Sequence, residues 1–289
     1  MCMFRAGSLA KNIDSWKNLT SDSWILETVA GYKIELENIP HQRIIPKQIQ
    51  LNDDQKKIID KEIAELLMKN AISKSSDEPD QFISNIFIVE KKNEKFRPVI
   101  NLKKLNEFIK YHHFKMETLE TVLESVQKNA FFTSCDMTDA YFSIPVHVNY
   151  RKYLKFIWRN QLYHFNCLCF GIASAPRVFT KVMKQVFAYI RHMGISSFYY
   201  IDDYLFEAEF ALTSKQHTDT FESLVNDLGF FINKEKSVTI PTTRIQYLGH
   251  IIDSVEFKVY LPEEKIEKII RHCTQVLSSK TNSIRQVAR

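Results

Sequence analysis

Two adjacent carboxylates, Asp202 and Asp203, stand between the apolar β-like runs 198–201 and 204–208. Neighbouring acids at a hairpin tip repel each other, and acids are poor strand residues. One reading is a solvated turn, where aspartate is common. The other is a hard divalent cation such as magnesium, which takes one or two carboxylates plus substrate phosphates. A second acid weighs on the choice. Asp136 follows directly on the apolar run 131–135, where a core strand would be expected to continue. If the two strands are neighbours in one sheet, Asp136, Asp202 and Asp203 converge. Three carboxylates can hold two metal ions, which is the apparatus for in-line phosphoryl displacement.

The elements that must position these acids follow from periodicity. From Asn52 or Asp53 the pattern is helical, with Ile58, Ile59, Ile63, Leu66 and Leu67 on one stripe. Residues 82–90 and 95–102 read as strands joined by a basic hairpin around 92–94, and 154–158 with 162–166 as a second hairpin. The clearest helix starts at Ser174, a candidate N-cap, with Pro176 in its first turn. It buries Val178, Phe179, Val182, Met183, Val186, Phe187 and Ile190, and Gly194 ends it. A second helix carries Phe221, Leu224, Val225 and Leu228 and stops at Gly229. Residues 244–253 return to strand. A helix from Pro262 turns Ile266, Ile269, Ile270, Cys273, Val276 and Leu277 inward, and Ser283 with Gln286 forms a capping box for another. Hairpins and helices alternate without a βαβ repeat, so an α+β architecture is expected, with a sheet packed on helices.

Composition narrows the class without naming it. The chain of 289 residues is 45% hydrophobic and 25% charged, with a formal net charge of +5, as in an ordinary soluble domain with a mild preference for anions. The five cysteines include no Cys-x-x-Cys pair. Cys167 and Cys169, near His164, read as buried thiols ahead of a metal site. No apolar run is long enough to span a bilayer, and the first residues lack a signal peptide's apolar stretch, so an intracellular protein, cytoplasmic or nuclear, is expected. Residues 1–51 read as a partly packed extension to which periodicity assigns no job.

Six segments in order resemble the successive motifs of retroelement reverse transcriptases. FRPVINLKKLN (96–106) resembles the fingers motif, and DMTDAYFSIP (136–145) the first palm motif. LCFGIASAP (168–176) resembles the template-side motif, and YIDD (200–203) the metal motif. NKEK (233–236) resembles the lysine motif and YLGH (247–250) the primer grip. A lone Tyr-x-Asp-Asp is weak, but six motifs in order across roughly residues 52–280 are specific. The resemblance implies a right-hand polymerase fold, α+β, with an antiparallel palm sheet packed on helices. Its divisions are an N-terminal extension (1–51), fingers (52–130), palm (131–253) and the start of a thumb (254–289). The chain ends inside a helical pattern, as a piece of a longer polyprotein would.

The resemblance also implies roles. Asp136 and Asp202 share two magnesium ions, Asp203 sits on the primer-side ion, and the Met137 carbonyl completes the other. Backbone amides at Asp139 and Ala140 donate to triphosphate oxygens, although the Asp139 side chain reads equally as a helix-capping acid. Tyr141 blocks a 2′-hydroxyl and so selects deoxynucleotides, although an aromatic after a strand is commonly core. Arg97 stacks on the base and contacts the α-phosphate, a double task that its planar fork suits. Phe170 stands where many retroviral relatives carry glutamine and packs near the nucleotide. Lys236 acts toward pyrophosphate, while Leu248 and Gly249 bend the strand that positions the primer end. The implied partners are an RNA or DNA template with its primer and deoxynucleoside triphosphates. WKNLTSDSW (16–24), SAPRVFTKVM (174–183) and SIRQVAR (283–289) resemble DIRS-type elements, whose parent polyproteins add RNase H and a tyrosine recombinase, with the Ty3/gypsy group second. Two rival readings stand beside the polymerase: a nucleic-acid-binding relic without turnover, and an RNA-dependent RNA polymerase, which Tyr141 disfavours.

Overall fold

The computed structural model describes residues 4–90, 96–279, 281, 283 and 284, and for Glu90, Phe96 and Arg97 the backbone only. Residues 92–94 of the expected basic hairpin, and Gln286 of the expected capping box, lie outside the described residues.

The chain opens with a 3-10 turn (Ser8–Asn12) and helices α1 (Ile13–Leu19) and α2 (Ser23–Gly31). Helix α3 (Asp53–Met68) precedes strands β1 (Ile72–Ser75), β2 (Ile83–Ser84), β3 (Ile86–Glu90) and β4 (Phe96–Ile100). Next come α4 (Leu119–Ser125), β5 (Phe131–Asp136), α5 (Val148–Arg151), β6 (Lys155–Trp158) and β7 (Gln161–Phe165). They are followed by α6 (Ala175–His192), β8 (Ser196–Tyr200), β9 (Asp203–Ala208) and α7 (Ala211–Asp227). The chain continues through β10 (Val238–Thr242), β11 (Arg244–Tyr247), β12 (His250–Asp253), β13 (Lys258–Tyr260) and α8 (Glu263–Ser278).

The central sheet has the order β10-β5-β9-β8 and is antiparallel throughout. Its strands read as apolar runs because both faces are covered. Cys135, Tyr204, Phe206 and Tyr199 join the main core with α6 and α7. Phe132, Leu205 and Phe198 point the other way, to Val122, Val126, Ile245, Tyr247 and Ile252. A second sheet, β1-β7-β6-β2, packs with α3, and β11-β12-β13 form a third.

Local chemistry explains the element ends. Asn52 and Gln55 form a reciprocal capping box that starts α3. Both long central helices end in a Schellman turn on a left-handed glycine: Ile195 N donates to Ile190 O after α6, and Phe230 N to Val225 O after α7.

Three expectations are corrected. Ser174 occupies the N-cap of α6, but its backbone is already helical and its side chain accepts no capping bond, so Pro176 alone marks the start. Residues 244–253 are two strands, because Leu248 and Gly249 both take positive φ (45° and 72°) and turn the chain as a two-residue hairpin. The apolar stripe of α8 does not face inward. No residue of α8 is buried, and Ile270 and Leu277 are 58% and 85% exposed, since no described element packs over that face.

The N-terminal segment proves to be core. Leu9, Trp16, Ile25 and Val29 are fully buried, and α1 and α2 lie on α6. The Trp16 indole N–H donates to Leu228 O at 3.0 Å.

Candidate active site

Asp136 is the last residue of β5 and Asp203 the first of β9, and the antiparallel register sets them directly opposite. Asp203 also pairs with Tyr200 across the β8–β9 hairpin, whose two-residue turn is Ile201 and Asp202. Three acids from two separate segments are therefore brought to one end of the sheet, which is the condition on which their convergence depended. Ile201 has φ of 55°, a left-handed backbone unusual for a β-branched residue.

The segment 233–237 wraps Asp136. Asn233 N donates to Asp136 O at 2.8 Å, and Asp136 N donates to Ser237 Oγ at 3.1 Å. This brings the Lys236 ammonium to 3.8 Å from the Asp136 carboxylate. Tyr247 donates from its hydroxyl to Asp203 O at 3.4 Å. A cleft of about 350 Å³ is lined by Asp136, Asp203, Lys236, Tyr247, Leu248 and Gly249. Acids, lysine and hairpin tip thus share one cavity.

The electrostatics record the crowding. Partial desolvation, then the charges of Asp202 and Asp136, push Asp203 up to about 6, although the residue keeps open contact with solvent. Desolvation raises Asp136 as well, with Lys236 opposing it and Asp202 adding to it. Among the described residues no group of three His, Cys, Asp or Glu side chains closes into a metal cage. Magnesium needs no such cage, since substrate phosphates complete its shell. Carboxylate oxygens destabilised by one another are a donor set that a hard cation fits. Cys167 and Cys169 are not: burial raises both thiols, Cys169 to about 12, which disfavours the ligating thiolate.

Tyr141 lies in the 3-10 turn Ala140–Ser143 and is 7% exposed. Its ring packs on Phe179 (5.4 Å between centroids) and Phe170 (5.1 Å). Burial, then the charges of Asp202 and Tyr200, raise its hydroxyl to about 12, so the ring is at once core and neighbour of the acids. Phe170 is 44% exposed on the open side of Tyr141. Met137 and Ala140 are buried, and Met137 bridges Ile232. Arg97 pairs in the strand ladder with Val89, and its side chain lies outside the described residues. The capping role for Asp139 is overturned. Its side chain makes no cap bond; it pairs with the Lys69 ammonium at 2.8 Å, by proximity rather than as an aligned hydrogen bond.

Residues 89–252, more than half the chain, match the family described as Reverse transcriptase (RNA-dependent DNA polymerase). The chain belongs to that family. The reverse transcriptase domain is 31% identical over 198 residues to the "Enzymatic polyprotein" of Soybean chlorotic mottle virus, covering 65% of this chain and 27% of that protein. It is 26% identical over 224 residues to the "Retrovirus-related Pol polyprotein from transposon gypsy" of Drosophila melanogaster, covering 75% of this chain and 21% of that one. It thus spans about a quarter of the length of these polyproteins. Its fold matches a foamy viral protease-reverse transcriptase in complex with dsDNA, with a TM-score of 0.71 at 19% identity over 97% of this chain and 56% of that one. A foamy viral protease-reverse transcriptase in complex with an RNA/DNA hybrid matches with a TM-score of 0.68 at 17% identity, over 97% of this chain and 36% of that one. The α+β polymerase fold expected from the motifs is the one observed. Among the described residues, no helix of the reverse transcriptase domain is long and apolar enough to cross a membrane.

Sequence reasoning missed Lys69 and Ser237, and gave no separate role to Asn233 and Tyr247, which stand in the lysine and primer-grip motifs. Lys69 lies 70 residues from its partner Asp139, with no pattern linking them. Asn233 opens the lysine motif and Ser237 follows it; they hold the Asp136 backbone through an amide and a hydroxyl, which composition does not reveal.

Proposed function

We propose that this domain catalyses RNA- and DNA-templated addition of deoxynucleotides to a primer 3′-hydroxyl, with two magnesium ions held by Asp136, Asp202, Asp203 and the Met137 carbonyl. The register that sets Asp136 opposite Asp203, beside the turn carrying Asp202, carries this reading. When bound, the ions favour the primer alkoxide and stabilise the departing pyrophosphate.

The chain's own groups do the rest. The amides at Asp139 and Ala140 receive triphosphate oxygens. Arg97 stacks on the incoming base. Tyr141, wedged against Phe179 beside Asp202, leaves no room for a 2′-hydroxyl, and Phe170 backs it at the open side. Lys236 gives up part of its attraction to Asp136 when a cation enters and is then placed to donate a proton to pyrophosphate. The Leu248-Gly249 turn, across the cleft from Asp136, supports the primer end. Residues 52–130 serve as fingers, 131–253 as palm and 254 onward as the start of a thumb. The parent is a retroelement polyprotein, DIRS-type by its 16–24, 174–183 and 283–289 segments, with RNase H and recombinase elsewhere in it.

The test is primer extension on an RNA template with deoxynucleotides and magnesium, comparing wild type with Asp202→Asn. Wild type extends, and the variant binds the duplex without extending. Equal extension by both proteins sinks the metal assignment.

A further inference from the structure

We propose that Lys69 is a positioning residue for the incoming nucleotide. By neutralising the Asp139 carboxylate, it turns the 139–141 backbone into an anion-accepting nest. The inference rests on the polymerase reading above and assigns a charge partner to its triphosphate subsite.

The backbone supplies the first argument. Asp139 has φ 48° and ψ 43°, left-handed, and the right-handed 3-10 turn Ala140–Ser143 follows at once. A left-handed residue followed by a right-handed one aims consecutive N–H groups toward one point, a concavity that binds anions. Outside that turn's own ladder, the N–H groups of Asp139, Ala140 and Tyr141 donate to no backbone carbonyl among the described residues. Aspartate tolerates the left-handed conformation better than most residues. It also brings a negative charge to the lip of a site meant for a polyphosphate.

Lys69 offsets that charge. Its ammonium lies 2.8 Å from Asp139 Oδ2, with the two side chains 31% and 23% exposed, so solvent screens the pair only in part. Lys69 is itself held. It is the C-cap of α3, and its carbonyl accepts from Ala6 N at 2.7 Å. The next residue, Gly7, donates from its N–H to Phe142 O at 2.8 Å. Two consecutive peptides of the N-terminal segment thus tie Lys69 to the turn that carries Tyr141. A Cβ on Gly7 would stand 3.3 Å from Pro145 Cβ, and its φ of 74° favours glycine. On the other side Thr138 N donates to Phe231 O at 2.8 Å, and the Phe231 ring meets Phe4 edge-on at 5.5 Å. The nest is braced from three directions, and the ion pair is the only one of these braces that involves charge.

Lys69→Met tests this with two readouts. One is the KM for deoxynucleotide in primer extension. The other is the nucleotide concentration that stabilises the ternary complex on a dideoxy-terminated primer, which needs no chemistry. Lys69→Met raises both about tenfold with kcat held within about twofold, because an uncompensated carboxylate then faces the triphosphate. Lys69→Arg keeps both near wild type. Adding Asp139→Asn to Lys69→Met reverses most of the rise, which loss of a merely structural contact would not allow. If Lys69→Met fails to fold, Lys69→Gln carries the same comparison with similar side-chain length and no charge. Unchanged nucleotide binding in the charge-removed variant, or a double variant no better than the single one, overturns the inference. A wild type that binds nucleotide without extending, and whose binding Lys69→Met still weakens, sinks the polymerase reading alone. A wild type that neither extends nor binds nucleotide overturns both.

Discussion

Asp203→Asn is expected to stabilise the metal-free domain at neutral pH. In the folded chain the Asp203 carboxyl lies at about 6, against 3.8 for an ordinary aspartate, through partial desolvation and the charges of Asp202 and Asp136. A folded pKa above the unfolded one means that the native state binds the proton more tightly. Folding therefore carries no penalty well below pH 4, and the full penalty appears once pH has risen through about 6. That rise corresponds to an upper bound of about 3 kcal/mol. Asp203 keeps open contact with solvent, so screening reduces this to about 1 kcal/mol. The asparagine variant should unfold about 1 kcal/mol later than wild type in urea with EDTA at pH 7.5, about 2 °C in Tm. At pH 4.5, where the native carboxyl is already protonated, the gain shrinks to about a third. Added magnesium should stabilise wild type more than the variant. A variant less stable than wild type at pH 7.5, or a gain that is the same at both pH values, refutes the repulsion argument.

Tyr141→Val should admit ribonucleotides, measured as the ratio of kcat/KM for a deoxynucleotide to that for its ribonucleotide. Because the ring is buried against Phe179, the same change costs about 2–4 kcal/mol in stability. Unchanged sugar discrimination in a folded variant removes the steric-gate role. Gly229→Ala should destabilise the domain by about 2–4 kcal/mol in urea unfolding. Its φ is +96°, and a Cβ there would stand 2.9 Å from Ser8 O and 2.5 Å from Asn12 Nδ2. A loss under about 0.5 kcal/mol would show that the N-terminal segment is not docked against the end of α7.

The acids were legible because each stands at the end of an apolar run, in strands covered on both faces. The α6 and α7 stripes were legible for a similar reason, since their period of 3.6 is written in residues that face one core. The hairpin between β11 and β12 was not. Asn-Gly announces such a turn, whereas Leu248 carries a Cβ that resists a φ of 45° and is held there by the packing of Tyr247 and Ile252 beneath. The stripe of α8 was read correctly as apolar and wrongly as buried, because periodicity gives the face and never the partner. The N-terminal segment had no legible job because its partners are distant in sequence: Trp16 meets Leu228, and the Ala6 and Gly7 amides meet Lys69 and Phe142.

Three non-glycine residues with positive φ border the proposed site: Asp139, Ile201 and Leu248. Each sits where a side chain or an amide must point away from the course of its strand, and each costs on the order of 1 kcal/mol or more. Ile201 is the clearest, since a β-branched residue gains nothing locally from a left-handed backbone. The β8–β9 hairpin can hold it because Phe198, Tyr199, Tyr204 and Leu205 anchor the two strands in cores on opposite faces of the sheet. Relaxing Ile201 would shift Asp202 against Asp203 and with it the register to Asp136. Lys236 too depends on a fixed backbone. In the metal-free chain its ammonium supplies the nearest opposing charge to Asp136, and it is 69% exposed on a segment tied to Asp136 by backbone bonds. An arriving divalent cation can displace so exposed an ammonium without moving the backbone that aims the carboxylate.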